Sequence, residues 1–304
     1  MIAIDLGSNT IRFLAAECDG ATLWERQRVV RTAEGLLQSG LICQEAIDRI
    51  LAAIKEARGL FDFTAHPIAA VTTEALRQAK NRDQVLKQLH QKSGIRFELI
   101  DAQKEARLTA LATAKAAGAC GIQGDLLVLD IGGASSETIW IQDGIVQEAL
   151  SLPVGIVTAT ERGLDDAALK RYLADALAPL DALLQKLPPN PQRALCATAG
   201  TPTTLAAIKL GLDYHHYDKE KINGTPLSLE QMQKSYEQLS ALPQADLEAW
   251  VGKRRTDVVL TGTQMLIGFT RYLGFDHCIA LDEGLREGVL AAACAGEIKA
   301  YYLD

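Results

Sequence analysis

An opening segment that occurs twice constrains this chain more than any other feature of its sequence. Ile2-Ala3-Ile4-Asp5-Leu6-Gly7-Ser8-Asn9-Thr10 leads into an apolar-rich run over 11–16, then Asp19-Gly20 and a strand-like run over 21–30. Leu126-Leu127-Val128-Leu129-Asp130-Ile131-Gly132-Gly133-Ala134-Ser135 leads into residues 137–141, then Asp143-Gly144 and Ile145-Val146. The spacing agrees to within one residue. Each copy reads strand, Gly-rich turn, strand, Asp-Gly turn, strand. Two copies of one three-strand opening predict two related lobes, with the ligand site in the cleft between them.

Helical periodicity follows each copy. Ala46, Ile47, Ile50, Leu51 and Ile54 share one helical face, and residues 85–89 and 107–116 also read as helix. Short buried strands are expected at 68–71 and 97–100. In the second half a long helix is expected over 167–187, closed by Pro188-Pro189-Asn190-Pro191. A short strand at 194–199 runs into Gly200-Thr201, and further helices are expected at 228–240 and near 286–302. Strands alternating with helices predict an α/β chain. Its domains are expected at 1–118, joined by the C-terminal helix from about 286 to 304, and at 119–285.

The two Gly-rich turns share a chemistry. Each sets an aspartate, Asp5 or Asp130, at the end of an apolar strand, followed by glycines and then hydroxyls. Glycines let backbone N–H groups approach an anion, and hydroxyls and amides donate to phosphate oxygens. The aspartates offer the oxygen ligands that Mg²⁺ prefers, and a cation would offset their repulsion of a phosphate. A hairpin turn is the plain alternative for either loop alone; repetition favours the phosphate reading. A third candidate, Gly200-Thr201, opens a helix behind a strand of small residues. By itself it reads rather as a plain Thr-capped helix with Pro202 in its first turn.

Hydrophobic residues make up 48% and charged residues 23%, a globular balance, and no run reaches the roughly 20 apolar residues of a membrane helix. The N-terminus lacks the basic start and apolar core of a signal peptide, so a cytoplasmic protein with no membrane partner is expected. A net charge of −7 argues against a nucleic-acid partner. Six cysteines, none in C-x-x-C spacing, are expected to be reduced. The Tyr214-His215-His216-Tyr217 cluster reads as a loop, and Lys253-Arg254-Arg255 as a solvated face or a patch that steers a polyanion.

Several motifs occur in order: Asp5-Leu6-Gly7-Ser8-Asn9-Thr10, Thr73-Glu74-Ala75-Leu76-Arg77, Glu105-Ala106-Arg107-Leu108, Asp130-Ile131-Gly132-Gly133-Ala134-Ser135-Ser136-Glu137, Gly200-Thr201-Pro202-Thr203-Thr204-Leu205-Ala206 and Gly284-Leu285-Arg286-Glu287-Gly288. Together they resemble the exopolyphosphatase/guanosine pentaphosphate phosphohydrolase (Ppx/GppA) family in its short, two-domain form. The resemblance implies a two-lobed actin/sugar-kinase-like (ribonuclease H-like) fold. It also implies Mg²⁺-dependent hydrolysis of the terminal phosphoanhydride of polyphosphate or guanosine pentaphosphate.

By motif position, Glu105 corresponds to the catalytic base and Glu137 to a second catalytic glutamate that helps place the water or the metal. Asp5 and Asp130 match aspartates near the metal, Arg77 an arginine facing the phosphates. Ser8, Asn9, Gly132, Gly133, Ser135 and Ser136 match phosphate-loop positions, with Gly200 and Thr201 as a further loop. A homodimer is the weak expectation for assembly. Two positions depart from the family pattern: Ala134 replaces a third glycine, and Lys104 precedes Glu105 in place of an acid. They keep open a sensor that binds polyphosphate or guanosine tetraphosphate without turnover. A phosphotransferase of the same fold is the other alternative.

Overall fold

The computed structural model describes residues 1–303. In chain order the strands and helices of the first part are β1 Ile2–Leu6, β2 Thr10–Ala16, β3 Thr22–Val29, α1 Leu36–Ser39, α2 Gln44–Leu60, β4 Ile68–Thr72, α3 Glu74–Gln78, α4 Arg82–Ser93, β5 Glu98–Leu99 and α5 Ala102–Ala119. The second copy follows as β6 Asp125–Ile131, β7 Ser136–Gln142, β8 Ile145–Leu152 and α6 Ile156–Glu161. Next come α7 Asp166–Leu177, α8 Leu180–Leu184, β9 Ala194–Thr198, α9 Gly200–Lys209, α10 Lys219–Ile222, β10 Thr225–Ser228, α11 Leu229–Ala241, α12 Gln244–Val251, α13 Val259–Tyr272, β11 His277–Ala280 and α14 Leu285–Cys294.

The chain divides into two compact units. Unit 1 comprises Met1–Ala112 and Leu285–Asp304, and unit 2 comprises Thr113–Gly284. Unit 1 is built on a five-stranded sheet ordered β3-β2-β1-β4-β5, unit 2 on a six-stranded sheet ordered β8-β7-β6-β9-β11-β10. In both, the first three strands form an antiparallel meander, and the first strand pairs in parallel with the strand that follows a helical crossover. The same order occurring twice is the duplicated sheet of the actin/sugar-kinase-like fold, and both central strands are almost wholly buried.

In unit 1 the face of the sheet carrying Ala3, Leu14, Ala69 and Val71 is covered by α14, through Leu285, Val289 and Ala292, and by Leu108 of α5. The two helices touch at Gly288, where a Cβ would lie 2.0 Å from the Leu108 carbonyl oxygen. Only glycine allows that approach. α5 starts where the Asp101 carboxylate accepts from the Lys104 N–H at 2.7 Å, an N-terminal cap.

Several expectations need correction. The helix expected over 167–187 breaks into α7 and α8 around Ala178-Pro179, because proline lacks the N–H that would continue the ladder. The last helix stops at Cys294, not near 302. Gly296 adopts φ 77°, and the chain leaves to pair Tyr301 with Ile68 at the start of β4. β5 is a two-residue edge strand with Glu98 exposed, not a buried strand.

The expected six free thiols are also corrected. Cys18 and Cys294 form a disulfide, their Cα atoms 5.7 Å apart. They stand 276 residues apart in sequence, so no spacing motif announces them. They meet because Ala16 at the end of β2 and Ala292 and Ala293 of α14 share one core. Cys43, Cys120, Cys196 and Cys278 are free. Burial pushes the thiols of Cys196 and Cys278 up to about 12, which makes them inert. Among the described residues no helix is long and apolar enough to cross a membrane.

Candidate active site

The internal repeat extends to the hydrogen bonds that shape its turns. In unit 1 the Gly7 N–H donates to the Thr10 carbonyl at 3.0 Å; in unit 2 the Gly132 N–H donates to the Ser135 carbonyl at 3.0 Å. The loop carbonyls are then taken by the segment after the third strand. Ser8 O accepts from the Ala33 N–H, and Asn9 O from the N–H groups of Val30 and Arg31. In unit 2 Gly132 O accepts from Ile156, and Gly133 O from Val157 and Thr158, all at the start of α6. With its carbonyls engaged, the second loop keeps the N–H groups of Gly133, Ala134 and Ser135, which have no acceptor among the described residues. N–H groups set together in this way can cradle an anion.

Gly155 is what lets α6 approach. A Cβ there would lie 2.4 Å from the Ala134 nitrogen and 2.4 Å from the Gly133 carbonyl carbon. The sequence offered no sign of this role, since Gly155 stands far along the chain from the loop it supports. Ala134, where the family pattern has a third glycine, does not strain the loop. Neither it nor Gly132 or Gly133 adopts positive φ. Ser135 and Ser136 are both buried, but the Ser136 hydroxyl donates to the Val154 carbonyl at 2.6 Å. Its structural task is thereby defined as fastening β7 to the turn before α6. In the first loop Ser8 is buried, and the Asn9 side-chain oxygen is buried with no hydrogen-bond partner among the described residues.

Register places the strand-end carboxylates. Asp130 on β6 stands directly across from Glu137 on β7 and beside Thr198 on β9, and Glu137 stands across from Ser151 on β8. Side chains in register project from the same face. The result is a polar row, Ser151–Glu137–Asp130–Thr198, with the Ser151 hydroxyl donating to Glu137 at 2.8 Å. Glu137 is buried. Unit 1 differs at the equivalent point. There Asp5, buried on β1, stands across from Arg12 on β2. One copy therefore opposes its aspartate with a cation, the other with a second carboxylate. Arg12 escaped the sequence reading because a lone arginine in a mostly buried strand carries no motif.

The third candidate loop carries backbone strain. Ala199, which precedes α9, has φ 78° and ψ −170°, a region that is essentially glycine's own. The Ala199 carbonyl accepts from the Thr203 hydroxyl and the Gly200 carbonyl from Thr204, so the loop is held by α9 itself. Thr201 is buried and directed at α13, where a Cβ on Gly262 would lie 2.4 Å from its hydroxyl oxygen. Gly200 keeps its surface, and the Arg255 guanidinium lies over it; a Cβ at Gly200 would be 3.5 Å from Arg255 Nη1. Of the basic run 253–255, this one residue therefore reaches the N-terminus of α9. Nearby, the Tyr217 hydroxyl donates to Asp282, and burial together with that carboxylate pushes its pKa far up. Asp282 and Glu283 follow β11, and Asn223 ties both down, with its Oδ1 2.7 Å from the Asp282 nitrogen.

In unit 1, Glu105 lies in the first turn of α5 and is buried. Arg77 Nη1 donates to it at 2.7 Å and to the Ile100 carbonyl at 2.9 Å, while Arg77 Nε donates to Glu74 at 2.8 Å. Burial opposes the charge on Arg77, but the Glu105 and Glu74 carboxylates outweigh it and raise the guanidinium pKa. Arg77 thus orients Glu105, a task its sequence neighbours gave no hint of. Lys104 turns the other way: its Nζ pairs with Glu98 at 2.5 Å. It adds no cation beside Glu105.

Comparison with known proteins shows the family. The model of the Ppx/GppA phosphatase family matches residues 15–295. A guanosine-5'-triphosphate,3'-diphosphate pyrophosphatase of Aliivibrio fischeri is 32% identical over 94% of this chain and 58% of its own. The chain therefore spans a little over half of that relative's length. Exopolyphosphatase 1 of Mycobacterium leprae is 27% identical over 94% of this chain and 87% of its own. The crystal structure of the Aquifex aeolicus Ppx/GppA family member superposes with a TM-score of 0.75, at 28% identity over 97% of each chain. The chain belongs to the Ppx/GppA phosphatase family.

Proposed function

We propose that the chain hydrolyses the terminal phosphoanhydride of inorganic polyphosphate or of guanosine pentaphosphate. The observation that carries this reading is the Gly132–Ser135 loop, whose N–H groups are left for an anion beside the Asp130–Glu137 carboxylates. The names of the relatives support the substrate class.

The reaction needs a water in line with the anhydride bond and neutralisation of the phosphoryl oxygens. Glu105 takes a proton from the attacking water, whose oxygen forms the new bond to the terminal phosphorus. The bond to the bridging oxygen breaks, and that oxygen leaves as part of the shortened chain. The water's second proton stays on the released orthophosphate. Arg77 holds the Glu105 carboxylate in place. The 133–135 N–H groups, the start of α9 and Arg255 stabilise negative charge on the phosphates.

A divalent cation fits the donor set of unit 2. Asp130 and Glu137 supply hard oxygens from neighbouring strands, and among the described residues no group of three or more His, Cys, Asp or Glu forms a full cage. Mg²⁺ commonly takes one or two carboxylates and leaves the rest of its shell to water and phosphate oxygens. When bound, it would neutralise charge on the phosphates. We assign it to Asp130 and Glu137 rather than Asp5, which faces Arg12.

The deciding experiment measures orthophosphate release from tripolyphosphate and from guanosine pentaphosphate, with Mg²⁺ and with EDTA. Glu105→Gln is expected to lose release while still binding either substrate. Loss of binding in parallel with turnover would contradict the role given to Glu105.

A further inference from the structure

Unit 1 carries a second basic site that the reaction above does not use. At the ends of α2 and α4 lie two adjoining cavities, of about 280 Å³ and about 340 Å³, which share Arg58, Lys92 and Ser93. Their walls hold five basic side chains, Lys55, Arg58, His90, Lys92 and Arg96, and no carboxylate among the described residues. In a chain of net charge −7 this is a local reversal.

Several other cations of unit 1 are paired. Arg26 and Arg28 pair with Glu56, Arg49 with Glu34, Lys104 with Glu98 and Arg107 with Glu297. The side chains of Lys55 and Lys92 have neither an ion pair nor a hydrogen bond among the described residues. Helix C-termini favour cations, which accounts for Arg58 or Lys92 singly. It does not account for two helices delivering theirs to one groove with nothing acidic opposite among the described residues.

Part of the groove is also fixed in shape. Arg58 Nη1 donates to the Ser93 carbonyl at 3.0 Å. Arg96 Nε donates to His90 Nε2 at 3.3 Å, and its guanidinium lies 5.6 Å from the centre of the Tyr301 ring. The Arg96 N–H donates to the Tyr301 hydroxyl at 2.5 Å, and Tyr301 is anchored by backbone bonds to Ile68. Arginines oriented in this way suit the oxygens of phosphate groups. Ile68 opens β4 and Thr72 closes it, with Arg77 just beyond. The groove and the Arg77–Glu105 pair thus lie at opposite ends of that strand, roughly 13 Å apart along it.

We infer that this groove is a non-catalytic binding site for a linear oligophosphate, either a free chain or the phosphate tail of a nucleotide. It is independent of the reaction proposed for the Gly-rich loops, because it uses none of their residues. Its four cationic side chains, Lys55, Arg58, Lys92 and Arg96, give binding that weakens steeply with salt.

The test reads the lysines directly. The full chain is treated with an amine-acylating reagent in the presence of EDTA, and acylation at each lysine is followed by mass spectrometry. Tripolyphosphate and guanosine triphosphate are the two probes, with orthophosphate and a single-stranded RNA as controls. The expected result is at least about fivefold protection of Lys55 and Lys92 by tripolyphosphate or guanosine triphosphate, lost between about 50 and 200 mM salt. Whichever of the two protects at lower concentration identifies the source. No protection, equal protection by orthophosphate, or protection by RNA alone overturns the proposal. As a second measurement, Lys55→Glu/Lys92→Glu is expected to lose one class of tripolyphosphate binding in calorimetry while releasing orthophosphate from it within about twofold of the parent. Loss of release with the fold intact would place the groove in the catalytic machinery and overturn its separate role.

Discussion

The Arg77 guanidinium donates to the Glu105 carboxylate at 2.7 Å while the same side chain grips Glu74. Both partners of the Arg77–Glu105 pair are largely withdrawn from solvent. Removing the cation from such a pair leaves carboxylates in a poor environment. Arg77→Met is expected to cost about 2–4 kcal/mol of unfolding free energy and to lower kcat more than it raises KM. Denaturant unfolding beside steady-state kinetics checks both. A KM effect alone would make Arg77 a phosphate ligand instead.

The contrast between Arg12 and Glu137, equivalent positions in the two copies, predicts where metal dependence resides. Glu137→Gln and Asp130→Asn are expected to raise the Mg²⁺ concentration for half-maximal phosphate release about tenfold or more. Asp5→Asn is expected to change turnover with a smaller shift in that concentration. Metal titrations of the three variants decide this, and equal shifts in all three would return Asp5 to the metal.

Gly155 predicts a loop defect at a distance in sequence. Gly155→Ala forces a Cβ against the Gly133–Ala134 backbone. A cost of about 1–3 kcal/mol in stability is expected, together with weakened phosphate binding. Ala134→Gly, by contrast, relieves no positive φ and is expected to leave binding nearly unchanged. Calorimetric titration with tripolyphosphate compares the two.

Ala199 predicts a gain. Its φ of 78° suits glycine, so Ala199→Gly is expected to stabilise the chain by about 1 kcal/mol despite the added freedom of the unfolded state. A raised thermal midpoint is the readout.

Asp125 predicts the acid limb. Arg193 grips it at 2.9 and 2.7 Å, Trp140 Nε1 donates at 2.8 Å and Asn190 at 3.0 Å. Burial alone would raise its pKa, but these donors outweigh it and hold the carboxyl below its ordinary value. A depressed folded pKa contributes stability above the unfolded value of about 3.9, and that contribution is lost as pH falls through the folded value. Asp125→Asn is therefore expected to flatten the loss of stability below about pH 4, measured by urea unfolding across pH.

The sheets were legible because the repeat and its apolar runs are local patterns. The carboxylates Asp5 and Asp130 were legible because each ends such a run. Gly155 and Arg255 were not, since each acts on a loop that lies elsewhere in the chain, and Arg12 was not, since it belongs to no motif. Pro179 was a local signal passed over within an otherwise helical pattern. The Cys18–Cys294 bond follows from packing alone. Ser136 and Thr201 share the residue types of phosphate ligands, and only hydrogen bonding and packing show that one fastens a turn and the other faces α13.

Unit 1 is assembled from both ends of the chain, with α14 lying on β1, β2 and β4. During synthesis residues 113–284 emerge as one continuous stretch and can close their own sheet at once. The apolar face formed by Ala3, Leu14, Ala69 and Val71 must wait for Leu285, Val289 and Ala292 to leave the ribosome. β1 is thus made well before the helix that covers it, and until α14 emerges that face stays open to chaperones.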